Sequence, residues 1–166
     1  MNSKLIAIAT LAALVLSAQN QPQLPFPDLV GPLKATPGCL GVETARTSSG
    51  KNVIFAWFED KKAVMRWYNS ELHKQLVRMS GPTEPGHVPL AGIAEDSGPI
   101  LAVASVTLAD PTKGPSLPGP PLPISQIAIE LYQPLPGGLF VGGRFAPGGV
   151  KVPGMRDFTP AHDAAQ

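Results

Sequence analysis

The feature that most constrains the fold is the short apolar run from Asn52 to Phe58. Successive side chains of a β-strand point to opposite faces of the sheet. One face of this run carries Val53, Phe55 and Trp57, and the other carries Ile54, Ala56 and Phe58. Because both faces are apolar, we predict a central strand with a covering layer on each side, one of which a second chain could supply.

A hairpin and a helix flank this strand in the sequence. Leu40–Arg46 is a second strand-like run, and the polar loop Thr47–Lys51 between the two runs is typical of a β-hairpin. We predict one main helix over Asp60–Met79, because acidic side chains favour a helix N-terminus and Gly81-Pro82 is a helix-ending pair. Its apolar stripe consists of Val64, Met65, Tyr68, Leu72, Leu76 and Met79.

The rest of the chain predicts three further strands, Ile100–Leu108, Ile124–Tyr132 and Leu139–Phe145. In Ile124–Tyr132, alternation predicts that Ile127, Ile129 and Leu131 point inward. The predicted fold class is therefore α+β, an antiparallel sheet of about five strands with one main helix. One helix covers five strands poorly, so we expect a homodimer in which a second copy covers the other face.

Composition divides the chain into four segments. Residues 1–18 have the basic start and apolar run of a signal peptide with cleavage near Ala18, which predicts a secreted or periplasmic protein; an uncleaved anchor is the alternative. Residues 19–36 are predicted to be a proline-rich linker, 37–146 the folded domain and 147–166 a flexible tail. The proline-rich loop 109–123 is either a recognition segment or lid, or a solvated excursion.

Charge and residue spacing argue against several classes of function. A net charge of +1 over 166 residues gives no basic patch for nucleic acid. After signal cleavage no segment is predicted to span a membrane. The 3 histidines show no metal-ligand spacing, so we predict neither a metal nor a cofactor. The single cysteine, Cys39, cannot form an internal disulfide and is predicted to be a small buried residue.

The runs PGCLGVE and VIFAWFEDKKAVMRWYNSELHKQL contain a recognisable pattern. It consists of a glycine-bearing turn into a strand, a strand ending in Trp, an acidic helix start and then W-x-x-S-x-x-H. The matching positions are Gly38, Gly41, Trp57, Glu59, Trp67, Ser70 and His73. This stretch resembles the antibiotic biosynthesis monooxygenase family, whose ferredoxin-like domains form dimeric α/β barrels. The resemblance implies the same fold and a homodimer.

The chain also departs from that family pattern. Such domains usually begin with a strand, which in oxygenase members carries a polar Asn, and a full helix. This chain has only the proline-rich linker there, so the N-terminal half is incomplete and part of the site is missing or rebuilt from the C-terminal hairpin. The haem-degrading branch has a ligand histidine at the position of Val77, which cannot bind iron.

Six residues are candidates for a functional site. The candidate catalytic residues are His73, as a general base that titrates near neutral pH, and Trp67. The candidate cavity or ligand-binding residues are Trp57, Tyr68, Asn69 and Tyr132. The alternative interpretation is structural: His73 would face solvent or a dimer contact with Lys62, Arg66 and Asn69, and both tryptophans would belong to the core.

Three functions fit this sequence. One is cofactor-independent oxygenation of a small aromatic substrate, which the resemblance implies and which would need a closed cavity bordered by Trp57, Trp67 and a polar group. Another is a non-enzymatic secreted dimer that binds a small apolar ligand or a protein partner in an open or loop-capped groove. The third is a structural protein of the cell envelope.

Overall fold

The computed structural model describes residues 28–79, 88–109 and 124–160. The signal peptide, most of the linker and nearly all of the loop 109–123 lie outside the described residues. The elements in chain order are α1 (Val30–Ala35), β1 (Cys39–Arg46), β2 (Asn52–Phe58), α2 (Lys61–Tyr68), α3 (Glu71–Met79), β3 (Ile100–Leu108), β4 (Ile124–Tyr132), β5 (Leu139–Phe140) and β6 (Arg156–Asp157).

Strands β1 to β4 form one antiparallel sheet in which each strand pairs with the next. The predicted α+β class is confirmed, and the main sheet has four strands. The loop between β1 and β2 closes as predicted: the Gly50 N–H donates to the Thr47 carbonyl over 2.9 Å. On the side away from β1, β2 pairs with β3. Because β3 follows the helices in the chain, this part of the sheet is built from sequence beyond α3.

The predicted fifth strand, Leu139–Phe145, is wrong. Only β5 is extended, and it pairs in parallel with β6 in a separate two-stranded ribbon. Gly142 has a φ of 69°, a left-handed conformation that bends the chain away soon after β5. The expected flexible tail also differs from the structure, because Val150 is completely buried and Arg156–Asp157 pairs with β5.

The single helix predicted over Asp60–Met79 is two helices, α2 and α3. Asp60 lies before α2 as its N-cap, with its carboxylate accepting a 2.8 Å hydrogen bond from the Ala63 N–H. The break falls at Asn69 and Ser70. The Asn69 side chain donates to the Met65 carbonyl over 2.8 Å, and the Ser70 hydroxyl accepts from the His73 N–H over 3.2 Å. These two side chains end one helix and begin the next.

The helices cover one face of the sheet. On β2 this face carries Ile54, Ala56 and Phe58, and Phe58 is completely buried. The core cluster comprises these β2 side chains together with Leu33, Val42, Ala63, Val64, Ile100, Trp67 and several partly buried neighbours. Packing of α1 and α2 on β1 and β2 therefore supplies the first of the two layers predicted for the central strand.

The C-terminal segment covers the opposite face of β1 and β2. The Phe145 ring meets the Phe55 ring edge to face, with centroids 5.0 Å apart. Pro147 lies over Gly41, which pairs with Trp57 across the hairpin. A Cβ on Gly41 would lie only 2.5 Å from the Pro147 Cγ, so the close approach requires glycine. Double cover of β2 is thus confirmed, but here the chain's own C-terminal segment provides the second layer.

Gly38 joins the turn after α1 to the start of α2. It has a φ of 84°, and its carbonyl accepts a 2.9 Å hydrogen bond from the Glu59 N–H. A Cβ at this position would lie 2.6 Å from both the Ala63 Cβ and a Glu59 carboxylate oxygen. Only glycine tolerates both the positive φ and the close approach of Ala63 and Glu59. This explains why the glycine-bearing turn of the sequence pattern has glycine at position 38.

Replacing Gly38 with alanine should destabilise the protein by about 2 kcal/mol or more, since left-handed strain and overpacking against Ala63 add together. The matched control is Gly50→Ala. Gly50 has the same φ of 84°, but no atom lies within 4 Å of the position that a Cβ would take. This control should therefore cost only the conformational term of about 1 kcal/mol. Urea unfolding measures both, and equal losses would show that the contact with Ala63 contributes nothing.

Candidate functional site

The W-x-x-S-x-x-H pattern forms the corner between α2 and α3. Trp67 lies in the last turn of α2, and its carbonyl accepts a 2.9 Å hydrogen bond from the Ser70 N–H. Ser70 then caps α3 through the His73 N–H. The spacing therefore places the His73 side chain over the end of α2, where a continuous helix would have turned it towards Lys62 and Arg66.

His73 packs against two aromatic rings at this corner. Its imidazole centroid lies 4.8 Å from that of Tyr68 and 6.0 Å from that of Trp67. The side chain is half-buried, and this partial desolvation lowers the pKa of His73, while a hydrogen bond to the Tyr68 backbone opposes the shift. The structure thus brings together three candidates, His73, Trp67 and Tyr68, and favours a neutral imidazole.

The two tryptophans lie on opposite faces of the sheet. Trp67 packs against the core cluster that contains Ala56 and Phe58. Trp57 lies between these two residues in β2, so its side chain points to the other face, under the C-terminal segment. A single cavity bordered by Trp57 and Trp67, as expected for an oxygenase site, is therefore incompatible with this fold.

Trp57 nevertheless has an unusual environment. The residue is only 6% exposed, and its indole N–H is buried with no hydrogen-bond acceptor among the described residues. Leaving such a donor unpaired costs about 1–3 kcal/mol. Buried donors are normally paired, so the Trp57 N–H is a group that an oxygen acceptor on a bound molecule could satisfy.

The remaining two candidates lie elsewhere. Asn69 is exposed and its side-chain amide is engaged in capping α2, so its observed role is structural. Tyr132 is half-exposed at the end of β4, where partial desolvation and then a hydrogen bond to Glu130 raise its pKa. Tyr132 pairs with Leu101 on β3 and is separated from the α2–α3 corner by the sheet.

An open groove of about 490 Å³ runs along the free edge of β1. One wall is β1 with Lys34 of α1, and the other wall is the C-terminal segment. The lining residues are Lys34, Gly41, Val42, Glu43 and the run from Arg144 to Gly148. Its surface combines apolar side chains of Phe145 and Pro147 with an ammonium group and a carboxylate, a combination that suits a small amphipathic molecule.

Arg144 holds the outer wall of this groove in place. One of its terminal nitrogens donates to the carbonyls of Pro147, Gly148 and Val150 over 3.1, 3.0 and 2.6 Å. The guanidinium also lies 5.8 Å from the centroid of the Phe140 ring. Charge-assisted bonds to three carbonyls fix the turn that places Pro147 against Gly41.

Sequence reasoning missed the groove residues Lys34, Glu43 and Arg144. Lys34 lies in the segment predicted to be a linker, and Arg144 in the segment predicted to be a strand. The glycine content around Arg144 could have predicted the turn that Arg144 holds. Glycines favour a compact turn over a paired β-strand, and four lie close by: Gly142, Gly143, Gly148 and Gly149.

The environment of the Cys39 thiol does not favour its reactive thiolate form. Cys39 is half-buried against the core, and desolvation raises the pKa of its thiol, which lowers the fraction of reactive thiolate. Among the described residues, no group of three or more histidine, cysteine, aspartate and glutamate side chains is arranged to hold a metal ion.

Comparison with known families agrees with the resemblance seen in the sequence. Residues 22–79 match the antibiotic biosynthesis monooxygenase family. The predicted resemblance is thereby confirmed for this segment, roughly a third of the 166 residues. No curated protein and no solved structure matches the chain. The α+β fold with its antiparallel sheet is consistent with the ferredoxin-like fold of that family.

The matched segment ends with α3, so it includes the α2–α3 corner but not β3, β4 or the C-terminal segment. The family match thus covers the helices and the first two strands, whereas β3, β4 and the outer wall of the groove come from sequence beyond it. In the part of the chain that the structure describes, no helix is long and apolar enough to cross a membrane.

The lowered pKa of His73 predicts a pH-dependent stability. Below about pH 6.5 the unfolded chain takes up a proton on this imidazole more readily than the folded chain does, so stability should fall as pH decreases from about 7 to 5.5. Urea unfolding of wild type and His73→Gln should show the wild-type advantage shrinking over this interval. The other histidines are common to both proteins and cancel; an advantage that grows at low pH would contradict the assignment.

Proposed function

We propose that this protein is an exported homodimeric module of the antibiotic biosynthesis monooxygenase type that binds a small amphipathic aromatic ligand without oxidising it. The observation that carries this proposal is the placement of Trp57 and Trp67 on opposite faces of the sheet. An oxygenase site needs an enclosed aromatic cavity with a polar group that stabilises a substrate anion, and the two tryptophans cannot enclose one together.

The groove beside β1 is the proposed ligand site. Phe145 and Pro147 offer apolar contacts for a ring, and Lys34 offers an ammonium group for a carboxylate. Lys34 forms no ion pair among the described residues, so its ammonium group is available to a ligand anion. An aryl carboxylate is therefore the class of ligand we propose, with the ring on Phe145 and Pro147 and the carboxylate near Lys34.

Binding of 1-naphthoate to the mature protein tests this site. We expect saturable binding by titration calorimetry and a Kd raised about tenfold in Lys34→Glu, because repulsion replaces an exposed ion pair worth up to about 1 kcal/mol. Lys51→Glu is the matched control, since Lys51 follows the β1–β2 turn away from the groove and should leave the Kd unchanged. Equal losses in both variants would assign the binding to net charge and remove the site.

Cofactor-independent oxygenation is a second candidate, favoured by the family match and by the unpaired indole N–H of Trp57. This donor could stabilise the oxygen anion of a phenolic substrate that itself reduces oxygen. An oxygen electrode with a hydroxylated polycyclic substrate decides between the two candidates. Oxygen uptake by wild type that Trp57→Phe abolishes would replace the binding proposal, whereas no uptake alongside naphthoate binding would support it.

Export is proposed from the apolar run between Leu5 and Leu16, which follows Lys4 and precedes Ala18. We expect the mature chain to begin near Gln19. Mass spectrometry of the protein recovered from the medium or periplasm checks this, and a recovered chain that retains residues 1–18 in the membrane fraction would instead indicate an uncleaved anchor.

The homodimer is proposed from the family match and from an apolar stripe left uncovered on the single chain. Members of the matched family are typically dimeric. The stripe consists of Ile127, Ile129 and Leu131 on β4, which are 44%, 59% and 38% exposed. Alternation had predicted that these side chains point inward; they share the helix-side face with Ala102, Ala104 and Val106, but the helices cover the other half of the sheet.

A further inference from the structure

Strand β4 is a long, unprotected edge. It has nine residues and, within the described chain, pairs only with β3, so its outer N–H and C=O groups face away from the sheet. Exposed edges usually carry lysine, proline or a short strand that prevents further pairing. β4 has no lysine and no proline, and Glu130 is its only charged residue.

The stripe Ile127, Ile129 and Leu131 lies on this same edge strand. An exposed apolar row beside an unpaired edge is a surface that a second strand can extend, because pairing satisfies the backbone and apolar side chains together. The order of side chains along β4 is also close to palindromic about Ala128: Gln126 and Glu130 flank it on one face, and Ile127 and Ile129 flank it on the other.

We propose that β4 pairs with β4 of a second copy in antiparallel register centred on Ala128, joining the two sheets into one. This inference rests on the proposed homodimer and specifies its interface. The twofold axis passes beside Ala128, so Ile127 lies opposite Ile129 of the second copy and Gln126 lies opposite Glu130 of the second copy. Each pair occurs twice, which gives four interlocked isoleucines and two amide–carboxylate hydrogen bonds.

Other registers fit less well. A shift that pairs residues of odd and even number would place apolar side chains of one copy beside polar side chains of the other, because one step along a strand changes the face. Centring on Glu130 would oppose two carboxylates, which repel. Centring on Ile127 would pair Gln126 with Ala128 of the second copy, so neither the Gln126 amide nor the Glu130 carboxylate would gain a polar partner across the interface. The Ala128 register also uses the full length of the strand.

Cysteine cross-linking in the full mature chain tests the register. With Cys39 replaced by serine, or by alanine if serine lowers stability, Ala128→Cys should form a disulfide-linked dimer on mild oxidation at micromolar concentration. Glu130→Cys is the matched control on the same face of the same strand. Its copies would lie about four residues, or roughly 14 Å, apart along paired strands, beyond the roughly 7 Å Cα separation that a disulfide tolerates.

Sedimentation equilibrium separates the interface from the dimer itself. Wild type should be dimeric and Ile129→Lys monomeric, while Val141→Lys, at a residue with the same 59% exposure but outside β4, should remain dimeric. A monomeric wild type would overturn both the homodimer and this interface. A dimeric wild type in which Ile129→Lys also dimerises, or in which Glu130→Cys cross-links as readily as Ala128→Cys, would overturn the interface alone.

Discussion

Burial of β2 on both faces is the constraint from which the rest of this fold follows. A strand with Phe58 on one side and Trp57 on the other must lie between two layers, and a chain of this size has few elements to provide them. The helices supply one layer and the C-terminal segment the other. Each layer reaches its position through a glycine: Gly38 lets the α1 turn meet α2, and Gly41 lets Pro147 lie directly on β1.

Periodicity predicted the elements that pack against a regular surface. The bounds of β2 and β3 follow from their apolar runs, those of β4 follow from alternation, and the helical region follows from its apolar stripe. The features that periodicity could not predict depend on a few individual hydrogen bonds. The helix break is set by hydrogen bonds of the Asn69 and Ser70 side chains, and the pattern of apolar residues gives no information about these bonds. The C-terminal fold is set by Arg144 and three carbonyls, which a strand-like composition conceals.

The candidate site was predicted less well than the fold, and for a related reason. Trp67, Tyr68 and His73 lie close together in the sequence. The α2–α3 corner places the His73 ring beside the rings of Trp67 and Tyr68. Trp57 and Tyr132 are separated from them by the sheet, and only the position of each strand in the sheet decides this. The family pattern is thus accounted for mainly by structure: its glycines allow close approaches, its serine caps α3 and its histidine packs on the corner.

Among the described strands, the sheet has two free edges, β1 and β4, with different chemistry, and their separation affects how binding and assembly relate. β1 presents a groove with Lys34, Glu43 and apolar side chains, whereas β4 presents isoleucines beside a single carboxylate. Because β1 and β4 lie at opposite ends of the strand order, pairing through β4 would leave both grooves open at the far ends of the joined sheet. Ligand binding and dimerisation would then be independent, since no residue that lines the groove belongs to β4. A ligand that changed the dimer affinity would have to act through β2 and β3, and the packing of β2 between two layers leaves little room for a second arrangement.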